Sequence, residues 1–585
     1  MADINSKLEI GVTTGPIRGS RKVHVGPLRV AMREISLEPG SGEAVGHVLD
    51  VRDEPPPLLD HDHPGPRAVA GEVAVARVAV GRKSHHLTHV PNATPAPPRA
   101  TASRRDGARR GAVCAGTERT LYGTGCSEYD RHMTLETHPE NAFANDRAHV
   151  FHSWSAQATL NPLVIEGGSG AWIWDQNGKK YLDFSSQLVN VNIGHQHPKL
   201  VAAIQEYAGK LCTVAPFHAN DARSEAARLI SEAANNGQDL GLDMVFFTNG
   251  GAEGNENAIR MARLHTGRHK VLTTYRSYHG GTAAAIQMTG DPRRWPSEPS
   301  TPGIIKFWGP YPYRSAFHST SEAQETERAL AHLADTLMVE GPHTVAAIVL
   351  ETVVGTNGIL VPPPGYLAGV RELCDRHGIL LVLDEVMAGF ARCGEWFAFH
   401  AFDVRPDLVV FAKGVNSGYL PLGGVILGAH VAASFMDKAY PGGLTYSGHP
   451  LACASAVASI NIFREEGIVE HSRMLGTDVI GPELEKLKAK HPSVGDVRGM
   501  GTFWAIELVK NRETREQLVP FNAAGADAKP MLELANACKA AGLWPFTHFN
   551  RLHVVPPCNT PVDEVHQGLA IIDEALNVAD SYVTA

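Results

Sequence analysis

The chain has 585 residues, 43% of them hydrophobic, so it can bury at least one large core and is not a peptide-like scaffold. A net charge of −9 argues against a surface that binds nucleic acid throughout, and small-molecule chemistry is the better expectation. Eight cysteines (Cys114, Cys126, Cys212, Cys374, Cys393, Cys453, Cys538 and Cys558) show neither a CxxC pair nor metal-ligand spacing, so no disulfide framework or zinc site is expected, and a reducing cytoplasm fits best.

The chain opens with MADINSKLEIGVTTG, which lacks the basic end and apolar core of a secretory signal. No apolar run in the sequence nears the roughly 18 residues of a membrane span. Residues 1–132 mix Pro, Arg, His and Gly with no sustained period of 2 or 3.6, so no buried face can be drawn there. This stretch is read as a disordered or non-native extension, with Met133 as a plausible true start. A basic nucleic-acid-binding tail around Arg104 to Arg110 is the competing reading.

From Val164 onward the pattern becomes orderly. Trp172 and Trp174 share one face of a strand, Asn177-Gly178 makes a hairpin turn, and Tyr181 begins the return strand. Helical spacing follows in HPKLVAAIQEYAGKL and ARSEAARLISEAANN. The centre then alternates strand and helix: MVFFTN before ENAIRMARLHTG, AAIVLETV before YLAGVRELCDRHG, then ILLVLDEV and DLVVFAKG. Apolar runs without alternation are buried on both faces, as strands of a parallel, doubly wound sheet are, and ligands on such sheets sit beyond the strands' carboxyl ends.

The chemically suggestive residues lie at those ends. Gly250, Gly251 and Ala252 leave room for a close backbone approach just before a helix whose free N–H groups would hold a phosphate. The strand KVLTTYRSYHGGT ends in Tyr278-His279-Gly280, and Tyr278 offers an aromatic face. Glu351 ends another strand and could hydrogen-bond a substrate, a ring hydroxyl or a neighbouring side chain. Asp384 ends ILLVLDEV, and Lys413 follows 29 residues later in DLVVFAKG. A lysine to form a Schiff base and a carboxylate to keep a pyridine nitrogen protonated are what pyridoxal 5′-phosphate requires.

In this order the segments GGAE, YHG, ExxxGxxG, LDEV, FAKG and GLTYSGHPLACASA resemble the class III, pyridoxal-phosphate-dependent aminotransferases of fold type I, over roughly residues 133 to 585. The resemblance implies an α/β fold. Its large domain, with a mainly parallel doubly wound sheet, would span 186–460, and a small α+β domain would be built from 133–185 and 461–585. It also implies Lys413 as the Schiff-base lysine, Asp384 as partner of the pyridinium nitrogen, Val386 beneath the ring and Tyr278 above it. Gly251 and Ala252, beside Gly250, would form the phosphate loop, with His279 and Glu351 also at the cofactor. Thr445 would reach the cofactor phosphate of the neighbouring subunit, so a homodimer with shared sites, or a tetramer, follows. The implied reaction is ping-pong transamination through aldimine and ketimine stages, with a small-molecule amino donor and a 2-oxo acid acceptor such as 2-oxoglutarate or pyruvate. Neither a metal nor a nucleic acid nor a membrane has a part in it.

Within the class, VFHSWSAQATLNPL, LDFSSQLVNVNIGHQHPKL, GDPRRWPSEP and NRLHVVPPCN look most like taurine:2-oxoglutarate and related ω-amino acid aminotransferases. Trp154, Ser186 and Gln187 would approach the substrate, and Arg551 could bind its carboxylate or sulfonate through a planar donor fork. Thr356 and His553 stand where ornithine-type members carry a glutamate and an arginine, which argues against that type. Gly254 departs from helix propensity, and Ala391 and Cys393 stand where the class commonly has Gly and Thr. The alternatives are an aminomutase, racemase or decarboxylase on the same fold and, further off, a non-catalytic regulator.

Overall fold

The computed structural model describes residues 138–584. The expectations for residues 1–132, for Met133 and for the basic run Arg104 to Arg110 fall outside the described residues.

The described part begins with a meander of β1 (Ile165–Ser169), β2 (Trp172–Asp175) and β3 (Lys180–Asp183), all antiparallel. Its tight turn is closed by Asp175, whose Oδ1 accepts from the backbone N–H of Asn177 at 2.9 Å and of Lys179 at 3.0 Å, while Gly178 supplies a φ of +77°.

Seven further strands form the central sheet: β4 (Leu242–Thr248), β5 (Lys270–Thr274), β6 (Ile304–Phe307), β7 (Val345–Glu351), β8 (Leu380–Asp384), β9 (Leu408–Phe411) and β10 (Gly423–Gly428). Their spatial order is β4-β10-β9-β8-β7-β5-β6. β10 runs antiparallel to both of its neighbours and the remaining pairs are parallel. Both faces are buried, so the strands read as unbroken apolar runs. Leu381 and Leu383 pack with Ile348, Val409 and Phe411 on one side, and Val382 packs with Val349 and Val410 on the other. β5 stops at Thr274, so Tyr278 stands in the loop beyond it and not on the strand itself.

A second core joins residues from both ends of the described chain. Leu182 and Phe184 pack with Leu484, Ile506, Leu552 and Leu569. The antiparallel strands here are β11 (Val494–Met500), β12 (Phe503–Asn511), β13 (Glu516–Gln517), β14 (Leu543–Trp544), β15 (Phe546–His548) and β16 (Arg551–Val554), except that β14 leaves this sheet and pairs parallel with β3, Leu543 opposite Leu182. The six cysteines among the described residues are free thiols. No helix among these residues is long and apolar enough to cross a membrane, and no metal-binding cluster occurs among them.

Two sequence oddities have physical explanations. Ala391 sits at φ +71°, a left-handed conformation that glycine adopts freely and alanine only at a cost of about 1 kcal/mol. Gly254 lies where the helix Gly251–Thr266 presses on the sheet: a Cβ there would be 2.7 Å from Val410 Cγ1 and 3.2 Å from the Gly424 carbonyl oxygen. Propensity alone would make Gly254→Ala stabilising by up to about 1 kcal/mol. The close approach reverses the sign, and urea unfolding is expected to show a loss of about 1–3 kcal/mol. The double variant Gly254→Ala/Val410→Ala should recover part of that loss, because the two sites share one contact.

Candidate active site

Because β10 is the single reversed strand, the carboxyl ends of β4, β5, β7, β8 and β9 all open onto one edge of the sheet. A cavity of about 390 Å³ lies there. That volume falls within the roughly 300–1,000 Å³ of small-molecule sites. Lys413, Asp384, Glu351, Tyr278, His279, Val386, Gly250, Gly251 and Ala252 all line it.

Register places the charged groups. Glu351 and Asp384 are direct partners on β7 and β8, and Asp384 in turn faces Val410 on β9, so the chain leaving β9 carries Lys413 to the same place. Lys413 is held at φ +41°, an uncommon conformation for a non-glycine residue and one that clusters at functional sites. Burial lowers the basicity of its amine. The attraction of Asp384 and Glu351 opposes that shift, and nearby Arg293 adds to it.

Asp384 is only 4% exposed and its carboxylate is tied on three sides. Oδ2 accepts from Asn255 Nδ2 at 2.8 Å and pairs with His279 Nδ1 at 2.8 Å, and Oδ1 accepts from the Val386 N–H at 3.1 Å. Asn255 also donates to the His279 carbonyl at 2.9 Å, which locks helix, loop and strand end together. Glu351 is engaged by backbone: its two oxygens accept from the N–H groups of Tyr278 and Gly355, each at 2.8 Å.

The expected cofactor carries a phosphate, a planar ring with a basic nitrogen, and an aldehyde, and the residues present fit each part. The helix of 16 residues starting at Gly251 has no side-chain cap, so its first N–H groups are free to meet a phosphate. A Cβ on Gly250 would stand in open space, whereas one on Gly251 would meet a Val386 methyl at 2.6 Å. Glycine is thus needed at 251 for packing, and at 250 it leaves a cradle. The Val386 and Tyr278 side chains, the anchored Asp384 carboxylate and Lys413 line the same cavity.

The residues expected at the substrate end are less gathered. Trp154 is 66% exposed and meets Tyr278 edge-on, ring centroids 5.9 Å apart. Ser186 does not line the cavity: it is fully buried, donates to the Val555 carbonyl at 2.7 Å and accepts from Arg392 at 3.1 Å. Gln187 turns back to Asp183, donating at 2.9 Å, and Leu188 and Asn190 line the cavity in its place. Arg551 is fully buried on β16, away from the cavity wall. Thr445 is exposed and also off the wall. Two residues go beyond the sequence reading. Asn255 lies one helical turn after Gly251, a buried amide on an otherwise apolar face, and that mismatch is a readable signal. Arg293 contacts Tyr278 and Thr356, and nothing in GDPRRW sets it apart from Arg294.

Burial pushes Glu351 up to about 7, as it does Glu385, which is bonded to Thr352 and to the N–H groups of Ala398 and Phe399. For a carboxyl raised from 4.5, only the folded state holds the proton between 4.5 and about 7, so stability falls as pH rises through that window. Urea unfolding of the cofactor-free protein should therefore weaken from pH 4.5 to pH 7.5. In Glu351→Gln the decline should be shallower by on the order of 3 kcal/mol, with the Glu385 part remaining.

Comparison with known proteins matches residues 154–576 to the family described as aminotransferase class-III. A taurine:2-oxoglutarate aminotransferase from Bifidobacterium kashiwanohense, solved with PLP and glutamate, superposes with a TM-score of 0.73 at 39% identity, covering 77% of this chain and 100% of that one. A 5-aminovalerate aminotransferase of Pseudomonas aeruginosa is 34% identical, covering 72% of this chain and 94% of its own length. A taurine–pyruvate aminotransferase of Bilophila wadsworthia is 31% identical, covering 75% and 97%. Strand order, sheet-edge cavity and these likenesses agree, and the chain belongs to the class III aminotransferases, enzymes of fold type I that use pyridoxal 5′-phosphate.

Proposed function

We propose that this aminotransferase moves the amino group of an ω-amino acid or taurine to a 2-oxo acid, 2-oxoglutarate or pyruvate, and that Lys413 and Asp384 are its central catalytic groups. The carrying observation is a buried amine of reduced basicity beside a carboxylate that cannot swing away. When bound, pyridoxal phosphate supplies the electron sink that makes the carbon bearing the donor's amino group acidic. Lys413 Nζ, reduced in basicity by burial, would take up and hold the proton of that carbon. Asp384, fixed by Asn255, His279 and the Val386 N–H, would hold the cofactor's basic nitrogen. Tyr278 and Val386, both on the cavity wall, would enclose the cofactor and exclude water. Gly250, Gly251 and Ala252 would hold its phosphate.

The donor class is supported by the relatives, which act on 5-aminovalerate and taurine, and by Thr356 at the position of the ornithine-type glutamate. Its hydroxyl is taken up by Arg293 at 2.8 Å. His553 lies fully buried under the Phe546 ring, so it serves as no gate. Free thiols throughout the described residues support a reducing cytoplasm. A homodimer is supported by exposed apolar side chains, Phe217 at 84%, Leu188 at 72% and Tyr446 at 60%, the last adjoining Thr445.

Taurine alone should bleach the yellow absorbance of the holoenzyme, and a 2-oxo acid should restore it. Lys413→Ala should slow both changes at least about 100-fold. If taurine leaves the spectrum unmoved while β-alanine or 4-aminobutyrate bleaches it, the donor is an ω-amino carboxylate; if no donor acts, the donor class is wrong. Light scattering should give twice the chain mass. Thr445→Ala should weaken cofactor retention by about 10- to 150-fold without dissociating the dimer, the effect of losing one hydrogen bond to a charged group.

A further inference from the structure

A second cavity, of about 150 Å³, adjoins the active site, and Glu351 is the one residue that lines both. It forms where β5 and β7 end, so that Thr274 to Arg276 and Leu350 to Thr352 give part of its wall, and the segment Trp308 to Tyr311 covers it. Four of its residues, Tyr311, Leu360, Pro362 and Leu367, also line a larger cavity of about 720 Å³ that reaches Asp496 and Val497 on β11. The small cavity is thereby approached from the cleft between the two cores, away from Lys413.

Its wall combines rings, aliphatic side chains and unspent polar groups. Tyr275, Trp308, Tyr311 and Tyr366 supply the rings, the first two with centroids 4.8 Å apart, and Leu350, Leu360 and Leu367 supply apolar packing. Tyr366 is 3% exposed, yet its hydroxyl has no hydrogen-bond partner among the described residues. A buried hydroxyl is rarely left so. Burial, with Glu325 nearby, raises its pKa, so it stays protonated and can donate.

Two guanidinium groups line the same cavity. Arg314 gives Nε to Glu507 and NH1 to the Arg515 carbonyl, while its NH2 is buried without a partner. Arg276, held at φ +62°, makes no hydrogen bond or ion pair among the described residues, and its Cζ rests 5.1 Å from the Tyr311 ring centroid. Against these cations the wall has one carboxylate, Glu351, already bonded by the N–H groups of Tyr278 and Gly355. An anion is therefore favoured. A cavity of about 150 Å³ accepts one six-membered aromatic ring. Water would answer the unspent donors but not the leucine wall.

We propose that this second cavity is an effector site for a small aromatic carboxylate, a single ring that bears one carboxylate for the guanidinium groups and one polar substituent for the Tyr366 hydroxyl. The path to the active site is short. The occupant lies against both strand ends, and these are tied at the next step by the Tyr278 N–H, which donates to Glu351 Oε1 at 2.8 Å. Occupancy thus biases Tyr278 on the active-site wall, and active-site ligands in turn alter the affinity of the effector.

The test is calorimetry on the full-length holoenzyme with 4-hydroxybenzoate, and with benzoate and phenol as probes that each lack one group. 4-Hydroxybenzoate should bind at one site per chain with a Kd below about 5 mM, the weakest value expected for a buried ligand of its size. It should bind at least about 10-fold more tightly than phenol and about 2- to 10-fold more tightly than benzoate. Arg276→Gln should remove most of the first margin and Tyr366→Phe the second, each leaving the other in place. Tyr366→Phe deletes an unbonded hydroxyl at no expected loss of stability, so it decides the matter if the arginine variant does not fold. Saturating 4-hydroxybenzoate should change the KM of the fastest amino donor by about 5-fold or more. No binding in that range, margins that neither variant changes, or inhibition purely competitive with the donor and indifferent to both variants would overturn the site. Binding that leaves KM and kcat unchanged would overturn its role as an effector.

Discussion

An amine and two carboxylates, Lys413, Asp384 and Glu351, stand together at the end of an apolar sheet that is covered on both sides. Burying charge costs several kcal/mol per ion unless partners are supplied, and each group here is supplied differently. Asp384 draws on a side-chain amide, an imidazole and a backbone N–H, and Glu351 on two backbone N–H groups. Lys413 is left with attraction at a distance, which keeps it reactive. The parallel register of β7, β8 and β9 makes this possible, since it aligns strand ends that lie far apart in sequence.

Close approach of the helix Gly251–Thr266 to the sheet follows from the same need. Asn255 can reach Asp384 only because the helix has no side chain at Gly251 or Gly254 to hold it off Val386 and Val410. That proximity also aims the free N–H groups of the helix into the cavity. One packing decision therefore serves both a carboxylate and a phosphate. Lys413, on the cavity wall, takes a positive φ, a backbone strain of the kind found at functional sites.

The mouth of the cavity is built on another plan. Its cations lie outside the wall, in a largely buried group that includes the partly exposed Arg293 and Arg498 and the fully buried Arg551, with Asp291 and Glu507, and only Arg293 meets residues that line the cavity. The Tyr278 and Trp154 rings lie 3.9 and 5.1 Å from that guanidinium. Such a layout suits a ligand that is an amine at one end and an oxyanion at the other.

Sequence by itself determined the central strands, the residues that end them and the family, because apolar period and burial are local properties and the ends of parallel strands collect ligands whatever the loops do. From those ends it named Gly251, Tyr278, Glu351, Asp384 and Lys413, and from the family resemblance Val386, and the structure brings all six to one cavity. It assigned Ser186, Gln187 and Arg551 to the substrate, but their directions depend on partners hundreds of residues away, and the fold turns them to Val555, to Asp183 and into a buried charge cluster. It passed over Arg293, because the choice between two adjacent arginines is made by Asp291 and by Thr356, 63 residues along the chain. Tertiary structure alone decided which buried polar group faces which, since a hydrogen bond needs both partners in place and the sequence shows them one at a time.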